Sequence, residues 1–90
     1  MASITYQLMT DFYAENKAAL AVNNFDRANA FSDAENMVNN FLHGHTPGDC
    51  LRLTKVALAP KEGDGRTEGE KEALQEAILL IDLYIEQFNL

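Results

Sequence analysis

The stretch Thr67–Leu90, TEGEKEALQEAILLIDLYIEQFNL, decides the fold class of this chain. Leu74, Ala77, Ile78, Ile81, Ile85 and Phe88 recur at three- and four-residue intervals, which on a helix of 3.6 residues per turn forms one continuous apolar stripe. Thr67 and Glu70 have the spacing of a capping box, so the helix is expected to start there and to run to about Phe88. A second stripe, Leu79, Leu83 and Leu90, falls roughly opposite the first, and Leu80 and Tyr84 bridge the two along one side. A helix that is apolar on two faces either lies at the centre of its domain or meets a partner. Leu79, Leu80, Leu83, Tyr84 and Leu90 are therefore the expected partner interface.

Upstream of this helix, Pro60 and the run Lys61-Glu62-Gly63-Asp64-Gly65-Arg66 have the charged, glycine-bearing character of a flexible loop, expected over 60–67. Before it, Thr46-Pro47-Gly48-Asp49 combines a capping threonine with a proline at the first helical position and predicts a short third helix to about Ala59. A strand over Leu51–Leu58 is the rival reading, but strict alternation breaks, with Leu51 and Leu53 on one face and Val56 and Leu58 on the other.

The segment Phe25–Leu42 places Ala30, Phe31, Ala34, Met37, Val38, Phe41 and Leu42 on one side and Asn29, Asp33, Asn36 and Asn40 on the other, and His43-Gly44-His45 ends it. Thr5–Val22 gathers Leu8, Met9, Phe12, Tyr13, Ala19 and Leu20 in one sector opposite Gln7, Asp11 and Glu15. Between the two, Asn23-Asn24 offers a residue tolerant of left-handed geometry followed by a helix cap. The expected fold is all-α, a single small domain over 1–90 in which four helices form two helical hairpins. Asn24–Ala28 resembles the turn into the second helix of a tetratricopeptide repeat. The flanking small and aromatic positions are out of phase with that pattern and no second copy appears, so no family assignment follows.

The chain has 90 residues, 47% of them hydrophobic, and 14 acidic against 7 basic side chains give a net charge of −7. That balance repels a phosphate backbone, so no nucleic-acid partner is expected. No run approaches the ~18 apolar residues of a membrane span, and Met1–Leu8 lacks a basic segment leading into an apolar one. Neither a membrane partner nor a signal peptide is expected. The lone Cys50 cannot form an internal disulfide, which suits a reducing cytoplasm. A domain of this size buries little more than ~60% of its unfolded surface, so self-association is a natural route to stability.

Chemistry-bearing clusters are few. His43, His45, Asp49 and Cys50 are metal-ligand types close in sequence but lack a zinc-site spacing, so no metal and no cofactor is expected. Cys50 and the two serines, Ser3 near a terminus expected to fray and Ser32 on the polar face of the second helix, lack a base fixed beside them by the sequence, and no enzyme activity is expected. Gly63–Lys71 does not have the spacing of a phosphate loop or the repeated acids of a calcium loop.

Charge distribution says more. Residues 60–90 hold eight acidic and three basic side chains, and Glu68, Glu72 and Glu76 follow one another at four-residue intervals as an acidic ridge. The expected function is a non-enzymatic, acidic protein-interaction module. Small proteins of this size and charge act as adaptors, neutralisers or inhibitors, including ones encoded by phage and mobile elements. The alternative is a homo-oligomer that binds a small anion such as a nucleotide at a subunit boundary through Arg27, Arg52 and Lys55, with Tyr6 or Tyr13 stacked on a base.

Overall fold

Each helix begins on a side chain that accepts one of the free backbone N–H groups of its first turn. The computed structural model describes residues 3–90, with α1 at Ile4–Ala21, α2 at Phe25–Phe41, α3 at Pro47–Leu58 and α4 at Glu68–Gln87. Ser3, Asn24, Thr46 and Thr67 accept from the N–H groups of Tyr6, Arg27, Asp49 and Glu70 respectively, at 3.1–3.2 Å. Such caps satisfy orphan donors that would otherwise favour fraying. Among the described residues there is no strand, and Leu51–Leu58 is helical. The all-α, four-helix expectation holds.

Asparagine also ends two of the helices. Asn23 takes a left-handed φ of 58°, the Asn24 N–H returns to the Ala19 carbonyl at 2.9 Å and the Asn23 N–H to the Leu20 carbonyl. Asn89 repeats that geometry at the end of α4, with the Leu90 N–H on the Ile85 carbonyl. Both are Schellman-type closures, in which a left-handed residue lets the chain reverse and satisfies the last carbonyls. At the first of them, Asn24 then caps α2, so two adjacent asparagines make the whole α1–α2 corner.

The core is built around α2, which packs on all three other helices and most extensively on α1. Its buried residues are Ala28, Ala30, Phe31, Ala34 and Val38, and the three alanines let neighbouring helices approach closely. Leu8 and Phe12 of α1, Leu51 and Leu58 of α3, and Leu74 and Ile81 of α4 close around them, with the rings of Phe12 and Phe31 5.8 Å apart. The two hairpins are unequal. α1 and α2 form an intimate pair, whereas α4 rests more on α2 than on its sequence neighbour α3. The central helix is thus α2, although α4 carries the broader apolar surface.

Two expectations change in detail. Tyr13 and Leu20, placed by the wheel in the buried sector of α1, are exposed, while Asp11 and Glu15 flank the packed face. The reason is that α1 touches both α2 and α4, and those elements supply a guanidinium and a hydroxyl to the two carboxylates. Secondly, Ser3 is not at a frayed end but caps α1. In the 60–67 loop, the Asp64 carboxylate accepts from the N–H groups of Lys61 and Arg66, at 2.9 and 3.0 Å. Arg66 in turn reaches Asp33 of α2 at 3.3 Å. These donors hold the Asp64 carboxyl below its usual range, the Lys61 N–H contributing most. No described helix is long and apolar enough to cross a membrane.

Candidate functional site

The row expected to meet a partner divides into two sets. Tyr84 is buried and its hydroxyl donates to Asp11 of α1, while its ring lies 5.6 Å from that of Phe88. Leu80 and Leu90 are half-buried against the core of their own chain. These three therefore have the internal neighbours that the helical wheel did not supply, and for Tyr84 that neighbour is α1. Leu79 and Leu83 do not: they remain 62% and 57% exposed. Four residues apart, they stand one above the other, ~6 Å along the outward side of α4.

Carboxylates surround that leucine pair. Glu72 and Glu86 are exposed and make no ion pair among the described residues, Glu76 lies one turn before Leu79 on the same side of the helix, and Asp82 stands beside the leucines. The expected ridge is not uniform. Glu68 pairs with Lys71 at 3.8 Å, Glu72 projects freely into solvent, and Glu76 binds Arg27 at 2.6 Å.

The three cations of the alternative anion site are all engaged. Arg27 lies between Glu76 and Glu15, with its guanidinium carbon 4.8 Å from the centre of the Phe31 ring. Bonding to Glu76, then to Glu15, outweighs burial and holds the guanidinium pKa above its ordinary value. Arg52 bonds Asp49 and the backbone oxygen of Leu90, and Lys55 pairs with Asp82 across the α3–α4 contact. Each cation is thus engaged by its own partners, Arg52 and Lys55 one turn apart on α3 and Arg27 on α2.

Tyr6 and Tyr13, the candidate stacking residues, are both exposed on α1. Two shallow clefts of about 330 and 340 Å³ share Tyr6 and Thr10, one completed by Met9, Tyr13 and Glu35, the other by Gln7, Asp11 and Tyr84. Their charged members are carboxylates, which suits neither a phosphate nor another anion.

Cys50 is buried, its Sγ 3.5 Å from the Val38 carbonyl, and burial pushes the thiol pKa up. The reactive thiolate is accordingly disfavoured. His43 and His45 are exposed, the latter edge-on to Phe41, and no three His, Cys, Asp or Glu side chains gather as a metal site among the described residues. The feature that sequence patterning misplaced is the Tyr84–Asp11 contact; a phenol between two apolar stripes and a carboxylate beside the packed face of α1 were its only signals. No protein-family model, curated protein or solved structure matches this chain.

Proposed function

We propose that this chain is a non-enzymatic protein-interaction module whose contact surface is the outward face of α4 centred on Leu79 and Leu83. The observation that carries this reading is the pair itself: two large leucines, one turn apart and more than half exposed, on a helix whose other apolar residues are buried in the core or half-buried against it. Covering a leucine fully contributes ~1.5–3 kcal/mol, so the pair would supply several kcal/mol toward association before ordering costs. An adaptor, neutraliser or inhibitor needs little more than such a face on a small stable support. The reduced, buried Cys50 suits a cytoplasmic setting. The anion-binding alternative draws no support from cations already engaged by carboxylates of their own chain.

A photoreactive residue introduced at position 83 tests the proposal in the cell that makes the protein. A discrete adduct is expected there, absent when the probe sits at position 62 in the loop and lost on Leu79→Glu. Equal labelling from both positions, or none from position 83, overturns the reading.

A further inference from the structure

We infer that the partner of the α4 face is a basic amphipathic helix, with two apolar side chains to cover Leu79 and Leu83 and Lys or Arg one turn beyond them at each end. This rests on the proposed contact surface and adds the chemistry of its occupant. Glu72, Glu76, Leu79, Leu83 and Glu86 follow one another at alternating intervals of four and three residues, the seam along which one helix packs on another. The apolar centre of the seam is short, and both ends are acidic over a length of ~21 Å.

Neutralisation within the chain is incomplete on this face. Lys55 offsets Asp82 and Lys71 offsets Glu68, but the single guanidinium of Arg27 is shared by Glu15 and Glu76, leaving one excess negative charge. Glu72 and Glu86 add theirs without an ion pair among the described residues.

Such a distribution selects against a second copy as the occupant. In an antiparallel two-fold pairing centred between Leu79 and Leu83, Glu76 of one chain faces Glu86 of the other. In a parallel pairing, Glu72 faces Glu72 and Glu86 faces Glu86. Either arrangement covers the leucines only by bringing carboxylates together, in a chain already at −7. A helix with cations at the same spacing covers the leucines and pairs the carboxylates at once, which is how charge at the edge of an apolar contact selects its partner.

The test uses three synthetic helical peptides that share two leucines at four-residue spacing and differ in flanks of arginine, glutamine or glutamate. Binding is followed by amide chemical shifts of the full chain. The arginine peptide should perturb residues 72–86 and bind at least roughly tenfold more tightly than the glutamine peptide, a preference that falls as salt rises from about 50 to about 300 mM. Glu72→Lys combined with Glu86→Lys should transfer the preference to the glutamate peptide, and Leu83→Glu should abolish binding of the arginine peptide.

Equal affinity for the three peptides, shifts confined to another surface, or no binding of any peptide overturns the inference. So does a doubled native mass that Leu83→Glu returns to one chain, which makes the occupant a second copy. In that case, or with equal affinities, an adduct specific to position 83 still upholds the contact surface; its absence, or equal labelling from position 62, removes the surface itself.

Discussion

The hydroxyl of Tyr84 on α4 donates to the carboxylate of Asp11 on α1, joining two helices across 73 positions of the chain. Burial first, and then Asp11, push the phenol pKa up to about 12, because ionisation would place a second negative charge beside the carboxylate in a poorly solvated position. The unfolded phenol ionises near 10. The contact therefore contributes its full stabilisation below pH ~10 and loses it as pH rises toward ~12.

Replacing Tyr84 by Phe is expected to cost about 0.5–1.5 kcal/mol at neutral pH, one hydrogen bond. The variant should also lose the alkaline component of tyrosine absorbance that titrates near 12, and its stability should fall less than that of the parent between pH 10 and 12. Urea denaturation at several pH values, with absorbance titration, checks both. Parallel loss of stability in the two proteins would show that the Tyr84–Asp11 contact has no part in the alkaline transition.

Leu79 and Leu83 should tolerate charge. Leu79→Glu and Leu83→Glu are expected to remain fully helical and within about 0.5 kcal/mol of the parent, as exposed positions do. By contrast, Leu74→Ala or Ile81→Ala, at fully buried sites, should cost about 2–5 kcal/mol. Circular dichroism and thermal melts separate the two sets. Unfolding of the Leu83→Glu protein would place that leucine inside the fold.

Arg27 ties three helices through side chains alone. Its ion pairs with Glu15 and Glu76 are partly exposed and worth ~0.2–1 kcal/mol each. Stacking on Phe31 adds ~0.5–1 kcal/mol. Arg27→Ala should accordingly lose about 1–2 kcal/mol, part of it dependent on salt. Lys55→Ala, which removes the pair with Asp82, should lose less than about 1 kcal/mol. Denaturation midpoints at low and high salt measure the difference, and equal losses would remove the special position of Arg27.

At the α1–α2 corner, Asn23 holds a left-handed φ of 58°. Asn23→Gly should be neutral or slightly stabilising, whereas Asn23→Val should cost about 1–2 kcal/mol, the penalty of a β-branched side chain in that region. A valine variant as stable as the parent would mean that the corner is not closed in this conformation.

Local chemistry in the sequence determined the four helices, their caps and the asparagine corner, because each depends on residues within one or two turns: Ser3 on Tyr6, Asn24 on Arg27, Thr46 on Asp49, Thr67 on Glu70. Periodicity also identified most of the core, since a residue at three- or four-residue spacing has only one face to share. What it could not assign was which helix lies at the centre and which apolar flank is covered. The wheel of α4 has two apolar faces, and choosing between solvent and a neighbour for each depends on where α1 lies, a relationship between positions more than seventy residues apart. Tertiary packing put α2 in the middle through its alanines, laid α1 against Tyr84, packed Leu80 against the core, and left Leu79 and Leu83 outside. It also turned Arg27, Arg52 and Lys55 from an expected anion site into structural ties: Arg27 and Lys55 each found a carboxylate on an element that helical periodicity alone does not bring near. For Arg52 that carboxylate is local, and only the bond to Leu90 required the fold.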